Sequence, residues 1–396
     1  MMKQKMVIIT HVENRAVTEG FVPAALKLGY ELTLVTDHAL AHKHYFSTVE
    51  NGPQQILECD VFNPLAIIDL LDSHALKPQV VFSNSDHLQT AAALVAEYFT
   101  CPGKNWQTCY QAKNKAQMRA KLAQLQMPTV WSAVCLADGV LPENIPYPVI
   151  AKPREGVSSL DVALCRTEAE LTDYQRQFSK KKMPILLESY LEGALFTLET
   201  LGDGQQLIAV GGFDVSLSAL PNFIETGALW NGENSRLYGQ QALQQVQQFG
   251  AAFGVCHSEF IVTASGPVLV EINYRSIGDG REFLLNELFT FDWFETILQL
   301  HAGRSLDRLD TRSPCALIQY FPNTRNGSLV RRHEGFVKQL GSTKVSYQPL
   351  KEQGQYLTVS HSNKDYLGML TAVGQAGDVI AQQAAAAAKL LSWEIN

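Results

Sequence analysis

The hydrophobic pattern of the first hundred residues alternates short apolar runs with longer segments that are apolar on one face. The runs "KMVIIT", "YELTLVT" and "QVVFSN" are typical of buried strands, whereas 18–28, 64–75 and "DHLQTAAALVAEYF" have the spacing of helices. This alternation predicts βαβ units and a parallel sheet. No GxGxxG follows the first strand, so a classical dinucleotide site is not supported. The loop "THVENRAVTEG" is either a polar connection or one wall of a ligand cleft at the strand ends.

The pattern changes in the second quarter of the chain. "PGKNWQTCYQAKNKAQMRAKLAQLQMP" predicts a linker followed by a helix, and short strands dominate from there to about residue 210. Apolar spacing then predicts a helix in "GQQALQQVQQFGAAFG", one in "EFLLNELFTFDWFETILQLHAG" that ends at Gly303, and an alanine-rich terminal helix in "DVIAQQAAAAAKLLSWEI". The length of 396 residues indicates two or three domains.

Composition narrows the class of protein. Hydrophobic residues make up 46% and charged residues 18% of the chain, which is ordinary for a soluble enzyme or binding protein. A net charge of −7 argues against nucleic acid as a partner, and no run of 18 apolar residues predicts a membrane span. The seven cysteines are scattered without a CxxC pair, which favours reduced thiols, and the first residues lack a signal-peptide core. We therefore expect a cytoplasmic protein.

The most informative stretch is the pair of apolar runs "CHSEFIV" and "GPVLVEINYR", joined by a short turn. A hairpin centred near Ser265 places Glu259 opposite Glu271, with Asn273 and Arg275 on the same face as Glu271. Two opposed carboxylates destabilise a sheet. Either the face is solvated, or one carboxylate is protonated, or a cation lies between them. Two carboxylates and an amide supply oxygen ligands, which suit Mg²⁺ bridging to phosphates, and we favour this third interpretation.

Two lysines and a Glu-ended strand add candidates for a nucleotide site. Lys152 lies in the strand "PVIAKP", and the loop after it contains Ser158 and Ser159, where backbone N–H groups could approach phosphate oxygens. Lys115 lies near a helix start, where a cation is unfavourable unless an anion binds; an exposed lysine is the alternative. In "PILLESYLEG" the strand ends at Glu188, beside an apolar wall that suits a flat ring, or simply at a turn.

Other chemistries fit less well. Cys256 and His257 are neighbours on a strand and face opposite ways, which argues against a Cys–His nucleophile. His38, His42 and His44 lack an acidic or Cys partner at fixed spacing, so we interpret them as a surface loop rather than zinc ligands.

The order of these features resembles the ATP-grasp enzymes, specifically the carboxylate–amine ligases, from about residue 80 to 305. "HSEF…GPVLVEINYR" resembles the family's two-carboxylate metal motif, and "PVIAKP" and "ESYLEG" resemble its lysine strand and adenine hinge. The resemblance implies an α/β and α+β protein with the ATP-grasp fold. Its expected parts are a Rossmann-like parallel-sheet domain (1–110), an ATP-grasp domain (111–305) with a lid (about 130–190), and a small C-terminal α+β domain (306–396).

The resemblance also assigns roles to individual residues. Relatives carry an acidic residue two positions after the hinge glycine, where this chain has Ala194 and Leu195, and "SIGDGRE" replaces a glycine-rich run that usually decides specificity. The implied contacts are Lys115, Lys152, Ser158 and Ser159 with the ATP phosphates; Glu188, Ser189 and Leu191 with adenine; Glu192 with ribose; Glu259, Glu271 and Asn273 with Mg²⁺; Arg275 and Lys152 with the transferring phosphoryl group; and Glu225, Asp279 and Arg281 with substrate.

The implied reaction uses ATP and Mg²⁺, with Mn²⁺ as a substitute, to join a small carboxylate to an amine through an acyl phosphate. The products are ADP, phosphate and an amide, and we expect a specialised pathway of the siderophore or dipeptide kind. One alternative is a carboxylating or formate-using enzyme of the purine or biotin type. Another is a regulatory protein that binds ATP without catalysis. The family often forms homodimers, and no nucleic acid or membrane partner is expected.

Overall fold

The computed structural model describes residues 3–136, 139–156, 160–178, 183–306 and 309–396. Within these ranges the strands form a four-stranded parallel sheet near the N-terminus, a four-stranded antiparallel sheet, a ten-stranded antiparallel sheet and a small three-stranded sheet. Among the same residues no helix has the length and apolarity needed to cross a membrane.

The N-terminal sheet confirms the parallel βαβ arrangement predicted from the hydrophobic pattern. Its strand order is β3-β2-β1-β4, and all three pairings are parallel. The elements are β1 (Lys5–Ile9), a π-helical turn (Ala16–Phe21) that continues into α1 (Val22–Lys27), β2 (Glu31–Thr36), α2 (Ala39–Ser47), β3 (Gln55–Glu58), α3 (Pro64–Ser73), β4 (Val80–Phe82), a 3-10 turn (Asp86–Leu88) and α4 (Gln89–Tyr98).

The interpretation of three histidines as a surface loop is wrong. His38 is the residue that precedes α2, while His42 and His44 lie within the helix. His42 is completely buried because its ring packs beneath the segment that follows β1 and donates a hydrogen bond to the His11 carbonyl.

The segment predicted as a linker and one helix contains two helices, α5 (Trp106–Lys113) and α6 (Lys115–Gln124). Asn114 separates them with an extended backbone, and its side-chain oxygen accepts a hydrogen bond from the Gln117 N–H. An asparagine in this position satisfies a free amide at the start of a helix. The break places Lys115 in the first turn of α6.

The antiparallel four-stranded sheet covers the part of the chain predicted as a lid. Its strand order is β5-β8-β6-β7. Sequence reasoning missed α7, which lies on this sheet and buries Leu171, Tyr174 and Phe178 at helical spacing. The elements are β5 (Ser132–Leu136), β6 (Val149–Pro153), β7 (Ala163–Cys165), α7 (Glu168–Phe178) and β8 (Pro184–Ser189).

The ten-stranded sheet contains strands from both the predicted ATP-grasp domain and the predicted C-terminal domain. Its path is β14-β13-β9-β11-β12-β15-β20-β18-β17, with β10 paired to β9. Because β12 pairs with β15, the sheet crosses the expected boundary at 305/306, and the domain limits remain predictions. The elements are β9 (Ala194–Asp203), β10 (Leu207–Gly211), β11 (Phe213–Leu217), β12 (Glu225–Trp230), α8 (Glu233–Phe249), β13 (Phe253–Thr263), β14 (Gly266–Asn273), α9 (Arg281–Leu288), α10 (Trp293–His301), β15 (Cys315–Pro322), β16 (Gly327–Arg331), β17 (Phe336–Leu340), β18 (Thr343–Pro349), β19 (Tyr356–Leu357), a 3-10 turn (Asn363–Asp365), β20 (Tyr366–Gly374), α11 (Gly377–Ala388) and β21 (Glu394–Ile395).

Two of the predicted helices differ from expectation in this region. The apolar segment before Gly303 is divided into α9 and α10, because Asp292 has an extended backbone and accepts a hydrogen bond from the Glu295 N–H. The terminal helix ends at Ala388, and 394–395 form a short strand against β16. The glutamine-rich helix α8 is confirmed, with Val246 and Phe249 buried in the core.

Candidate active site

The β13–β14 hairpin confirms the predicted opposition of two glutamates, although its turn pairs Thr263 with Gly266 rather than centring on Ser265. Glu259 lies directly opposite Glu271, and His257 lies opposite Asn273. The register shifts after Glu259, so that Val270 is an extra residue in β14. Such a bulge re-aims neighbouring side chains and is common near functional sites. Two carboxylates are therefore held side by side on one face of the sheet.

A cavity of about 190 Å³ lies between this hairpin and the lid sheet. One part of its wall is apolar and includes Val130, Ile150, Leu160 and Ile261. The other part is charged. The cavity brings together eight of the residues assigned from the sequence: Lys115, Lys152, Glu188, Ser189, Leu191, Glu225, Glu259 and Glu271. An apolar slot beside a charged floor is suited to a flat ring that carries phosphates.

Lys115 connects helix α6 to the β13–β14 hairpin. Its Nζ lies 3.0 Å from Glu271 Oε1 and donates a 2.9 Å hydrogen bond to the Gly156 carbonyl. Burial alone would lower the pKa of Lys115, but the Glu271 carboxylate outweighs it and raises that pKa. Conversely, burial opposes ionisation of Glu271, yet the Lys115 and Lys152 ammonium groups lower its pKa. Both groups are thus charged at neutral pH.

A second buried cluster lies under the cavity floor. Lys152 Nζ and Arg119 Nε each lie 2.5 Å from a different oxygen of Glu188. Burial opposes ionisation of Glu188, but these two cations hold its pKa at about 2. Arg119 also donates to the carbonyls of Leu269 and Val270. Sequence reasoning missed Arg119, although it lies one helical turn after Lys115 on the same face of α6.

Glu259 lies beside a buried histidine, His257. His257 Nδ1 lies 2.7 Å from Glu199 Oε1, and its Nε2 lies 3.5 Å from Glu259 Oε1. Burial lowers the pKa of His257, but the Glu199 carboxylate outweighs it and raises that pKa to about 9. Asn273 Nδ2 donates to Glu259 at 3.4 Å, which leaves its carbonyl oxygen for another ligand. Glu199 and His257 were not among the residues predicted to form the site.

The oxygen donors of this hairpin fit a magnesium ion. Two carboxylates on opposed strands and one amide oxygen form a hard donor set of the kind that Mg²⁺ prefers. Cys256 does not compete for this chemistry, because burial raises the pKa of its thiol to about 12. This agrees with the earlier argument against a Cys–His nucleophile.

Arg275 links the hairpin to the N-terminal sheet. Its Nη1 donates to the Ser276 carbonyl at 2.8 Å. Burial opposes ionisation of Asp86, which follows β4, but Lys113 and Arg275 outweigh it and lower the pKa of that carboxyl. Lys113 and Asp86 also form an ion pair. The predicted catalytic arginine thus lies close to the segment after β4, although it does not line the cavity.

Of the three residues predicted to contact substrate, Glu225 lines the cavity, whereas Asp279 and Arg281 do not line it but interact electrostatically with Glu225. Glu225 lines the cavity and forms an ion pair with buried Arg281. Asn363 Nδ2 donates to Glu225 at 3.3 Å, and the Tyr366 hydroxyl donates to the Glu225 carbonyl at 2.8 Å. Burial raises the pKa of Asp279. Sequence reasoning missed Asn363 and Tyr366.

Some assigned residues are not placed in the cavity. Ser158 and Ser159 lie outside the described residues. Glu192 is exposed and does not line the cavity, although its neighbours Leu191 and Gly193 do. A ribose contact by Glu192 therefore stays a prediction.

Comparison with known proteins agrees with this geometry. Residues 85–279 match the family described as the ATP-grasp domain. An uncharacterized protein of Sinorhizobium fredii, y4rH, is 25% identical over 262 residues, which are 63% of this chain and 54% of that protein. The chain therefore matches about half the length of this curated relative.

Two solved structures share the fold over the whole chain. L-amino acid ligase from Bacillus licheniformis has a TM-score of 0.79 and 18% identity, with complete coverage of both chains. The biotin carboxylase domain of Hydrogenobacter thermophilus 2-oxoglutarate carboxylase, a dimer in complex with MgADP, ADP and bicarbonate, has a TM-score of 0.69 and 16% identity, covering 100% of this chain and 92% of that one. The middle of the chain, residues 85–279, is thus similar to the ATP-grasp domain, and the whole chain shares the fold of these two structures.

Proposed function

We propose that this protein is an ATP-dependent ligase that joins a small carboxylate to an amine, with an amino acid as one of the two. The reaction passes through an acyl phosphate and releases ADP and phosphate. The observation that carries the proposal is the pair of directly opposed carboxylates, Glu259 and Glu271, at a cavity that also contains two buried lysines. A solvated sheet face would not need buried ammonium groups beside it.

The chain's own residues supply most of what phosphoryl transfer requires. Lys115 and Lys152 place positive charge on the cavity wall, where they would hold the phosphates of ATP. Glu259, Glu271 and Asn273 would hold Mg²⁺, which supplies charge neutralisation between the β- and γ-phosphates. Arg275 would stabilise charge on the transferring group. Positioning and electrostatics of this kind are sufficient without a covalent nucleophile.

Binding of nucleotide requires an exchange of partners at Glu271. Its carboxylate now accepts from Lys115 at 3.0 Å. With nucleotide bound, Lys115 would hold a phosphate, and the Glu271 carboxylate would be free to hold the cation. Each charge then keeps a partner, so that neither is left buried and uncompensated.

The acyl phosphate must be kept from water, and the four-stranded antiparallel sheet, predicted as a lid, would do this. The lid contributes Ile150, Lys152 and Glu188 to the cavity wall. Glu225 lies on the opposite side of the cavity, on β12, where it can hold the amine until it attacks the acyl carbon. Attack forms the C–N bond, expels phosphate and gives an amide after proton loss.

Two other functions are alternatives to this proposal. A carboxylating enzyme would use bicarbonate as its carboxylate, and the likeness to a biotin carboxylase domain solved with bicarbonate favours testing it. A regulatory ATP-binding protein is disfavoured because Glu259, Glu271, Asn273 and Arg275 are all present. A specialised pathway, cytoplasmic location, substitution by Mn²⁺ and a homodimer stay predictions.

The test is nucleotide product analysis. Purified protein is given ATP and Mg²⁺ with pooled carboxylates, pooled amino acids and amines, or bicarbonate, and ADP, AMP and phosphate are quantified. ADP and phosphate that appear only when both pools are present support the proposal. Dependence on bicarbonate supports carboxylation instead. AMP with pyrophosphate, or tight ATP binding without turnover across all pools, contradicts it.

A further inference from the structure

A cluster of imidazole and carboxylate groups lies at the carboxyl edge of the N-terminal sheet, outside the ATP cavity. His11 follows β1, and Asp37 and His38 follow the neighbouring strand β2. One potential ligand atom from each of the three residues lies within 4.8 Å of the other two. The edge at which parallel strands end is where α/β folds most often bind ligands.

The contacts within the cluster hold its members in place. His11 Nδ1 lies 2.8 and 2.9 Å from the two oxygens of Asp37, and the rings of His11 and His38 have centroids 4.8 Å apart. The side chains of His11 and Asp37 are one-third and one-quarter exposed, and His38 is exposed. A bound ion would therefore have protein ligands on one side and solvent on the other.

The backbone beneath His11 is fixed by two separate hydrogen bonds. The Thr36 hydroxyl and the buried His42 Nε2 both donate to the His11 carbonyl, at 3.0 and 2.9 Å. Thr36 also accepts from the His38 N–H at 3.1 Å, so the same hydroxyl joins both histidine segments. Phe62 packs edge-on against the His11 ring. An isolated surface His–Asp contact does not need such support, whereas a metal site depends on it.

We propose that His11, Asp37 and His38 form a site for a divalent transition ion, with Zn²⁺ as the preferred occupant. Two imidazoles and one carboxylate are the donors that zinc accepts, whereas Mg²⁺ prefers oxygen donors only. Ligand atoms around tetrahedral zinc lie roughly 3.3 Å apart, so rotation of the exposed His38 ring would close the site. Three protein ligands leave a position for water or a small anionic ligand.

None of the three residues of this cluster lines the cavity beside Glu259 and Glu271. The proposed ion is therefore distinct from the Glu259–Glu271 position, and its presence does not depend on the ligase proposal.

The test is Co²⁺ and Zn²⁺ binding to the full chain in excess Mg²⁺. The excess Mg²⁺ would fill the site proposed at Glu259, Glu271 and Asn273. We expect a visible Co²⁺ absorption band that Zn²⁺ abolishes, with Kd for Zn²⁺ of about 10 μM or tighter. His11→Ala and His38→Ala should each weaken Zn²⁺ binding roughly 100-fold. The matched control His44→Ala removes an exposed histidine from α2, and it should bind as the wild type does.

Glu271→Gln should also leave the Co²⁺ band unchanged, because that residue belongs to the other site. Asp37→Asn keeps an oxygen that can accept from His11, so it tests the ligand charge if an alanine variant does not fold. The proposal is overturned if wild-type protein shows no Co²⁺ band in Mg²⁺. It is equally overturned if His44→Ala or Glu271→Gln abolishes the band while Asp37→Asn retains full Zn²⁺ affinity.

Discussion

Two groups of buried charges differ in how completely their polar atoms are partnered. We call them the nucleotide end, which is the cavity wall predicted to hold ATP phosphates, and the acceptor end, which is the set of residues around Glu225 and Arg281 predicted to hold substrate. At the nucleotide end, no buried side-chain nitrogen or oxygen of Lys115, Arg119, Lys152, Glu188 or Glu271 lacks a hydrogen-bond partner. At the acceptor end, Nε and Nη1 of Arg281 and Oε2 of Glu282 are buried without one. An unpartnered buried polar atom is costly, so a second binding group is expected there. We therefore expect a ligand at the nucleotide end to replace existing hydrogen-bond partners. At the acceptor end we expect a ligand to supply partners to atoms that have none.

The largest effect is expected at the nucleotide end. Glu271→Gln removes the negative charge that faces Lys115 and Glu259, so ATP turnover should fall by about 10² to 10⁴-fold. ADP release with saturating substrates measures this. Glu334→Gln alters an exposed glutamate and should leave turnover unchanged. Turnover of the Glu271 variant within about threefold of the wild type would contradict the metal assignment.

Loss of Arg119 should reduce stability more than loss of a surface arginine. Arg119→Met leaves Glu188 with one cation and leaves two strand carbonyls without their donor, so the free energy of unfolding should fall by about 3 kcal/mol. Arg154→Met, which breaks a half-exposed pair with Glu155, should cost less than about 1 kcal/mol. Urea unfolding compares the two, and equal losses would refute the distinction.

The acceptor end should impose a pH dependence. Burial raises the pKa of Glu282 to about 7, well above its ordinary 4.5. Between these two values the folded state keeps a proton on Glu282 that the unfolded state releases. The free energy of unfolding is therefore highest, as far as Glu282 is concerned, below pH 4.5, and it falls as pH rises through 7. Glu282→Gln should remove that slope and stabilise the protein at pH 8 by about 1–3 kcal/mol. Urea unfolding at pH 5 and pH 8 measures it, and an unchanged slope in the variant counts against the assignment.

The smallest effect is expected at Arg281, and it should be selective. Arg281→Lys keeps the charge opposite Glu225 but removes the N–H groups that lack partners, so kcat/KM for the amine should fall by about tenfold. KM for ATP should stay within about twofold, because the nucleotide cluster is untouched. Initial-rate kinetics with each substrate varied separately test this. A parallel change in both constants would show that the two ends are not independent.

The sequence predicts the site best where its residues are close along the chain. The short connection between β13 and β14 predicted that Glu259 and Glu271 are opposed, but the turn pairs Thr263 with Gly266, and the bulge at Val270 completes that opposition. The parallel N-terminal sheet was likewise predicted from a local pattern, the alternation of short apolar runs with segments of helical spacing. The division of the helix after Asn105 was missed because apolar spacing continues across Asn114, and only its capping role marks the break.

Partners that are distant along the chain could not be predicted. Arg119 reaches Glu188 across 69 positions and Asn363 reaches Glu225 across 138. Neither residue belongs to a local sequence pattern that predicts which residue it contacts. The same reason explains the misinterpreted histidines, because the carboxylate beside His38 became meaningful only once His11 was brought to it from another strand.

The two hydrogen bonds from Arg119 to β14 have a consequence for solubility. In the part of the chain described, β14 is the last strand at one side of the ten-stranded sheet, with β13 as its only paired neighbour. An uncovered edge offers its carbonyls to a strand from another molecule and so invites aggregation. The guanidinium occupies the carbonyls of Leu269 and Val270, as a neighbouring strand would, and the Gln245 side chain occupies that of Pro267. The residue that pairs with Glu188 thus also occupies backbone carbonyls of the strand at the edge of the ten-stranded sheet.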